Sequence, residues 1–300
     1  VVGDICAGTA EECASASSPT LWKTILVGGL NGGGRGYYAL DITDPANPIG
    51  LWEYTNDDLG YTYGNPLISK VDDGTWVVMF ASGYNNTGPG DGKGRLFILN
   101  AYSGALMRTI STNHGDTTTP SGLARIAAWA SFPDLNNTAE RVYGGDLAGN
   151  VWRFDINGVL GTVSKPPVYD AQRLATLADA SGYPQPITAK PELGRVKGHP
   201  VVYVGTGKLL GSSDFVPVHA SAPLFRKQSF YAIKDPLTDT DYGNPRTAII
   251  TKADTTSVGA FVTWTLESGT CPEGNTYCRA GKDSVRSPQL LRNEGESDEE

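Results

Sequence analysis

Short apolar runs rich in β-branched and aromatic residues recur along the chain, and each ends in small residues. The first run of each unit lies at residues 25–29, 77–83, 141–146 and 201–207. A hairpin and a second run follow each of them, at residues 37–41, 96–100, 151–155 and 230–234. Runs of this kind, bounded by turn residues, are typical of β-strands. The pattern therefore predicts two or more strands in every unit.

The units repeat at a nearly constant spacing. The small residues that close the first runs, at positions 28, 81, 144 and 205, are 53, 63 and 61 residues apart. A period of about 60 residues with several strands per unit is typical of propeller blades that carry loop insertions. A β-sandwich also has strands at short spacing and is the alternative, but the repeat favours the propeller.

The sequence thus predicts an all-β fold, a quinoprotein-like β-propeller with four clear repeat units that can belong to a larger ring. We expect one domain over residues 1–300, with clear repeats at 20–235 and a poorly matched final blade plus an acidic tail at 236–300. Helix signals are nearly absent, and only residues 171–180 are expected to form one or two helical turns. The small residues are expected where inner strands crowd around the central channel.

Composition narrows the classes of partner. The chain contains 37 glycines and 19 prolines, which suits many tight connections between strands. The formal net charge of −8 repels phosphate backbones, so nucleic acid is not an expected partner. No stretch of the sequence approaches the ~20 apolar residues of a membrane span. The chain begins without Met or a signal peptide, as expected of a mature or truncated piece, so export is inferred from other residues.

Two pairs of cysteines have the same spacing. Cys6 and Cys13 are seven residues apart, as are Cys271 and Cys278. Neither pair has the short spacing of a zinc knuckle, and the three histidines lie far from both pairs in sequence. Four cysteines allow three connectivities, of which 6–13 with 271–278 is the most economical. Two local disulfides indicate an oxidising compartment, and reduced thiols are the alternative.

A set of runs in a fixed order identifies a family. They lie at residues 22–30, 33–36, 39–45, 51–54, 76–85, 143–155, 205–211 and 228–235. The run 143–155 (Tyr-Gly-Gly-Asp-Leu-Ala-Gly-Asn-Val-Trp-Arg-Phe-Asp) is specific, whereas a lone Gly-Gly-Leu carries no information. Together these runs resemble the C-terminal propeller of the PilC/PilY family of type IV pilus biogenesis and tip adhesin proteins. Residues 236–300 match the family poorly.

This resemblance implies a function without catalysis. Members of the family are exported with the type IV pilus machinery, and they support fibre biogenesis, cell adhesion and twitching motility. The resemblance implies minor pilins of the pilus tip complex as partners, together with a host or abiotic surface. It also implies a location in the periplasm, at the outer membrane surface or at the pilus tip. No organic cofactor is expected.

Several family members carry a calcium-binding loop in the propeller, and residues 134–140 resemble it. Oxygen-bearing residues stand at every second position, as Ca²⁺ requires of a ligand loop: Asp134, Asn136, Thr138 and Glu140. The family register places Phe132 at the first ligand position and Asn136 where an acid is expected. The resemblance thus implies a weakened calcium site, and an Asx-rich turn is the alternative.

The hairpin of the fourth unit is the longest, and its loop 208–229 contains several apolar residues. They are Phe215, Val216, Val218, Leu224 and Phe225. Variable loops on a constant strand frame are common sites of recognition, so these residues are candidates for contact with the pilus tip complex or an external surface. The alternative is that they cover one end of the blade stack.

No catalytic residues are predicted. Asp146 and Asp155 invite interpretation as a carboxylate pair, but Asp155 recurs in the repeat as Asp41 and Asn100, which indicates turn capping. His114 lies in a polar loop and is expected to be solvated.

Proteins with two other functions have the same fold. One is a quinone-dependent dehydrogenase, whose adjacent cysteines this sequence lacks, and the other is a scaffold for outer-membrane assembly.

Overall fold

The computed structural model describes residues 1–15, 19–133, 136–157, 170–196, 198–211, 214 and 228–245. Almost all regular structure within them is β-strand, which confirms the all-β prediction. The helices with described bounds are the α-helix α1 (Ala10–Ala14) and a 3₁₀-helix (Pro19–Leu21). Neither is long and apolar enough to cross a membrane.

The strands form four antiparallel sheets, in which each strand pairs with the next along the chain. Blade 1 contains β1 (Val2–Cys6), β2 (Trp22–Gly29), β3 (Tyr37–Asp41) and β4 (Ile49–Tyr54). Blade 2 contains β5 (Leu67–Lys70), β6 (Trp76–Ala81), β7 (Arg95–Asn100) and β8 (Leu106–Ser111). Blade 3 contains β9 (Ile126–Trp129), β10 (Arg141–Gly145), β11 (Asn150–Asp155) and β12 (Ala171–Thr176). The strands described in blade 4 are β13 (Glu192–Val196), β14 (His199–Gly205) and β15 (Phe230–Lys234).

The first strand of each blade lies innermost. Strand β9 contacts both β5 and β13, and Gly3 of β1 lies against Ile68 of β5. The first strands of successive blades therefore surround a common axis. Successive blades begin 65, 59 and 66 residues apart, close to the predicted period. The third and fourth strands of blades 1, 2 and 3 share a register shift, and such bulges increase the twist of the outer strands.

Blade 2 is buried on both faces, and the alternation of side chains along each strand divides its residues between two cores. In β6, Val77 and Met79 pack in a cluster shared with blade 3, whereas Val78 and Phe80 pack in a cluster shared with blade 1. Tyr37 of blade 1 stacks on Phe80 with ring centroids 4.0 Å apart. Strand β6 is apolar throughout because both of its faces are covered.

Loops at one end of the blades are joined by backbone hydrogen bonds, and we call this set of loops the belt. It comprises the hairpin between the second and third strands of each blade and the connection that enters the next blade: residues 30–36, 55–66, 82–94, 112–125, 146–149, 177–191 and 206–211. Each loop bonds to the next one, through Asn31 with Thr62, Tyr61 with Tyr84, Gly83 with Leu123, Ser121 with Leu147, Asp146 with Ile187, and Pro186 with Gly207. The belt links all four blades at this end.

Glycines allow the loops of the belt to approach one another. Gly83 has a φ of 75°, which strongly favours glycine, and a Cβ at this position would overlap the carbonyl oxygen of Tyr61. A Cβ at Gly64 would likewise overlap the carbonyl oxygen of Ala124. At both positions any larger residue would force two loops apart.

The structure corrects two expectations. The small residues at positions 28, 81, 144 and 205 lie at the ends of the second strands and not on the innermost strands. At these ends the strands enter the belt, where the loops approach one another closely. Gly145 at the end of β10, for example, packs against Ile187 of the loop that enters blade 4. Residues 171–180 contain β12 and no helix, because pairing with β11 overrides the local helix propensity.

Gly64→Ala should lower the free energy of unfolding by about 1–3 kcal/mol, because the loops have to separate to admit the new Cβ. Gly50→Ala is the matched control, since nothing lies within 4 Å of a Cβ added there. Its effect should stay within about 0.5 kcal/mol. Urea unfolding measures both values, and equal stability of the two variants would show that the belt tolerates a side chain at position 64.

Candidate functional site

The most specific run of the sequence folds around the carboxylate of Asp146. This side chain is fully buried in the hairpin between β10 and β11. It accepts hydrogen bonds from the backbone N–H groups of Ala148 (3.0 Å) and Asn150 (2.9 Å) and from Nε1 of Trp152 (2.9 Å). Asp146 therefore fixes the hairpin and the Trp152 ring together, as the turn-capping interpretation predicts for this residue.

His114 lies beside the same carboxylate. Its Nδ1 is 3.6 Å from Oδ2 of Asp146, and its ring centroid is 6.2 Å from that of Trp152. The His114 side chain is 38% exposed and so is partly solvated, as expected, while bonds between belt loops hold its loop against blade 3. Ser121 also donates to Asp146 (3.5 Å). Ser121 and His114 each contact the Asp146 carboxylate directly. A serine nucleophile requires the histidine to lie between the serine and the aspartate, so this arrangement differs from a catalytic triad.

A cluster of buried charges joins blade 3 to blade 4. Arg153 of β11 is 1% exposed, and it donates to Asp235 from Nη1 (2.9 Å) and to Asp155 from Nε (3.1 Å). Tyr143, its partner across the strands, donates its hydroxyl to Asp235 (2.6 Å). Asp235 directly follows β15. Arg153 and Tyr143 of blade 3 thus both bind the buried carboxylate of Asp235, which connects the two blades.

Burial changes the acidity of this cluster. The pKa of the Asp155 carboxyl is raised to about 6, because the effect of burial exceeds the attraction of Arg153. Asp41 and Asn100, the matching residues of blades 1 and 2, accept hydrogen bonds from backbone N–H groups close in sequence and do cap turns. The turn-capping interpretation is wrong for Asp155, which forms an ion pair with the arginine two residues before it.

The predicted calcium loop lies at the end of blade 3 opposite the belt, between β9 and β10. Asp134 lies outside the described residues. The Oδ1 atom of Asn136 accepts the N–H of Thr138 (3.0 Å), which is an Asx turn. Glu140 accepts a backbone N–H at 3.1 Å and lies 3.2 Å from Nη1 of Arg141. The side-chain oxygens of Asn136 and Glu140 are therefore engaged within the protein.

Of the predicted ligands that the structure describes, Asn136, Thr138 and Glu140, only Glu140 is a carboxylate. Within the described ranges no group of three acidic, histidine or cysteine side chains could hold a metal ion. The loop backbone is bound to blade 2, where the N–H of Lys70 donates to Asn137 and the N–H of Ala139 donates to Lys70. Phe132 is 60% exposed and is not a core ring. The contacts favour the Asx turn, and calcium binding stays a prediction that depends on Asp134.

The candidate partner residues of the long loop lie outside the described residues: Phe215, Val216, Val218, Leu224 and Phe225. The neck of this loop is described. Thr206 and Ser229 close it with a backbone bond of 2.9 Å and a bond from the N–H of Ser229 to Oγ1 of Thr206 (2.8 Å). Three exposed apolar side chains surround the neck: Leu209, Leu210 and Phe230. Blade 4 therefore presents apolar surface at its belt end.

Cys6 and Cys13 form a disulfide with Cα atoms 5.9 Å apart. The bond ties β1 to α1, whose N-terminus carries a capping box between Thr9 and Glu12. A disulfide is consistent with an oxidising compartment. The second predicted pair, Cys271 and Cys278, lies outside the described residues.

Sequence reasoning did not identify Asp235 and His114. Asp235 is 82 residues from Arg153, so no local spacing indicates the pair. The available signal was an arginine inside an apolar strand, because a buried cation requires a carboxylate. No sequence signal placed His114 beside Asp146, since that contact depends on bonds between loops.

The chain is similar to known proteins over most of its length. A family model described as the PilY1 beta-propeller domain matches residues 12–254. The type IV pilus biogenesis factor PilY1 of Pseudomonas aeruginosa strain PAO1 is 36% identical over 237 residues, which cover 71% of this chain and 19% of that protein. A PilY1 homolog from Xylella fastidiosa is 34% identical over 213 residues, which cover 64% of this chain and 14% of that protein. The chain thus spans less than a fifth of these relatives.

A solved structure has a similar fold. The crystal structure of the Pseudomonas aeruginosa PilY1 C-terminal domain superposes with a TM-score of 0.64 and 30% sequence identity. The match covers 82% of this chain and 51% of that chain. This match confirms the prediction of a propeller. The four sheets of the described residues are its blades.

Arg153→Met should lower the free energy of unfolding by about 3–5 kcal/mol at pH 7, because two buried carboxylates lose their counter-ion. The loss should shrink between pH 7 and pH 5. The folded-state pKa of Asp155 lies above its unfolded value, so the folded protein binds a proton that the unfolded chain has released, and lower pH favours folding. Removal of Arg153 raises the pKa of Asp155 further, because the positive charge that favours the ionised carboxylate is lost. Urea unfolding at both pH values measures the free energy of unfolding.

Arg173→Met is the matched control, because Arg173 forms an exposed pair with Asp241 at 2.8 Å. Its loss should stay below about 1 kcal/mol at either pH. A loss for Arg153→Met that is small, or that does not change with pH, would contradict the role given to the buried cluster.

Millimolar Ca²⁺ should raise the melting temperature slightly if Asp134 completes the predicted loop. Binding adds about 0.4 kcal/mol when the calcium concentration equals Kd, which is ~10⁻⁴ to 10⁻³ M for weak extracellular sites. Asp134→Ala and Glu140→Gln should remove the response, and the glutamine keeps the acceptor for the backbone N–H. Phe132→Asp with Asn136→Asp should strengthen binding, because Phe132 is exposed. No response from either the natural or the restored loop would identify it as a turn only.

Proposed function

The chain belongs to the PilY1 β-propeller family, and on this premise we propose that it acts in type IV pilus biogenesis as a non-catalytic propeller that binds proteins. The family match over residues 12–254 carries the proposal. This range contains the Asp146 hairpin and the Arg153 cluster, so it includes the contacts that hold blade 3 in place. The relatives' printed role in pilus biogenesis supports the same function here.

Proteins of the pilus tip, with the minor pilins first among them, are the proposed partners. The belt supports this choice, because its loops are fixed to one another and apolar side chains are exposed at this end of the blades. These side chains are Leu30, Tyr63, Tyr183, Leu209, Leu210 and Phe230. Apolar and aromatic groups held on a rigid frame suit protein binding, since little ordering is required when the partner arrives.

The proposed place of action is outside the cytoplasm, in the periplasm, at the outer membrane surface or at the pilus tip. The disulfide between Cys6 and Cys13 supports this location. Adhesion to a host or abiotic surface and twitching motility belong to the same proposal. Modulation by calcium would act through the loop 134–140, which is bonded to blade 2 and so could influence two blades.

Replacement of Leu209, Leu210 and Phe230 by serine should abolish co-purification with minor pilins and reduce surface fibres and twitching. The melting temperature should hardly change, because exposed side chains contribute little to folding stability. Ile49→Ser is the matched control, since Ile49 is 62% exposed at the opposite end of blade 1.

Pilin binding that survives the triple substitution would place the contact surface elsewhere on the propeller. The proposal itself fails if the unaltered protein co-purifies with no pilus protein. It also fails if the purified protein carries the absorbance of a bound quinone, as a dehydrogenase would.

A further inference from the structure

A cavity lies on the axis of the propeller, between the first strands of blades 2, 3 and 4. Its volume is about 310 Å³, at the lower end of the range of small-molecule pockets. Strands β5, β9 and β13 line it together with the loop that holds Asn137. The cavity is separate from the Asp146 hairpin and from the exposed apolar side chains at the belt end.

The wall on the side of blade 3 is made of small side chains. Four alanines line it: Ala127, Ala128, Ala130 and Ala139. Ala128 and Ala130 are partly exposed, whereas Ala127 and Ala139 are buried, so larger apolar side chains at positions 128 and 130 would narrow the space between the three strands. Leu67 and Leu193 stand on the other sides, so the cavity has an aliphatic lining. The described residues of the lining include no aromatic ring, so a flat quinone would find none among them to stack on.

Two opposite charges line the same cavity. Lys190 and Glu192 are two positions apart and both are exposed. No ion pair joins either side chain to another residue of the described part of the chain. The amide of Asn137 stands with them. The described lining thus combines an ammonium group, a carboxylate, an amide and the hydroxyl of Ser69, which donates to the backbone carbonyl of Asn137, with an aliphatic wall.

We propose that this cavity binds a small zwitterion, a free α-amino acid or a dipeptide with a short aliphatic side chain. Lys190 binds the ligand's carboxylate, Glu192 binds its ammonium group, and the alanine wall receives the aliphatic side chain. A dianion such as phosphate meets a single cation here and is repelled by Glu192. This ligand site is independent of the proposed role in pilus biogenesis.

Isothermal titration of the purified protein with alanine, valine and the dipeptide Ala-Ala should detect binding. N-acetylalanine lacks the ammonium group and alaninamide lacks the carboxylate, so each should bind about tenfold more weakly or worse, as expected when a hydrogen bond to a charged group is lost. Concentrations up to about 10 mM saturate a site with a millimolar Kd.

Substitutions assign each end of the ligand to one side chain. In Lys190→Gln, alanine and alaninamide should bind with equal affinity, whereas N-acetylalanine should stay weaker. In Glu192→Gln, alanine and N-acetylalanine should bind equally, and alaninamide should stay weaker. The matched controls, Lys234→Gln and Glu53→Gln, lie outside the cavity and should keep the discrimination of the unaltered protein.

Two results would overturn the proposal. One is the absence of binding heat for every zwitterion with the unaltered, folded protein. The other is binding in which Lys190→Gln and Glu192→Gln keep the discrimination of the unaltered protein, because the ligand would then lie elsewhere. Melting temperatures measured beside the titrations separate loss of binding from loss of folding.

Discussion

The backbone hydrogen bonds of the belt hold the four blades in one arrangement. Each loop that enters a blade bonds to the hairpin of the blade before it and to the hairpin of its own blade. Loops at this distance leave no room for side chains, so glycine stands where one loop crosses another. Glycines of this kind include Gly29, Gly60, Gly64, Gly83, Gly92, Gly122, Gly145 and Gly149. These eight glycines therefore serve contact between belt loops, and four of them, Gly83, Gly92, Gly122 and Gly149, also have the positive φ of turn residues.

Blade 3 connects this belt to the cores, and Asp146 is the residue that does so. Its backbone carbonyl accepts the N–H of Ile187 in the belt, while its carboxylate holds Trp152, a member of the cluster shared by blades 2 and 3. The buried ions around Arg153 then join blade 3 to blade 4. Satisfied polar groups of this kind specify one arrangement, because breaking any of them leaves a buried charge without a partner. This explains why residues 143–155 form the most specific run of the sequence.

The fold could be predicted because its signals are local. Alternation along strands and a period of about 60 residues are visible without any knowledge of distant contacts, and the blades follow them. The contacts of the site could not be predicted in the same way. Arg153 and Asp235 are far apart in sequence, and His114 reaches Asp146 only through bonds between loops. The helix expected at 171–180 shows the converse error, since a local propensity gave way to pairing between strands.

The belt also separates the blades, whose packing has to stay constant, from the outer parts of the loops, which can vary. Its bonds lie at the bases of the loops, as at Gly207, which bonds to Pro186 beside the neck closed by Thr206 and Ser229. Beyond such a neck a loop can change in length and composition without disturbing the blades. The hairpins accordingly range from the four residues between β10 and β11 to the long loop between β14 and β15. Residues of the run that identifies the family thus build the frame, through the Asp146 hairpin and the Arg153 cluster, and the loops beyond the belt are not held by these contacts.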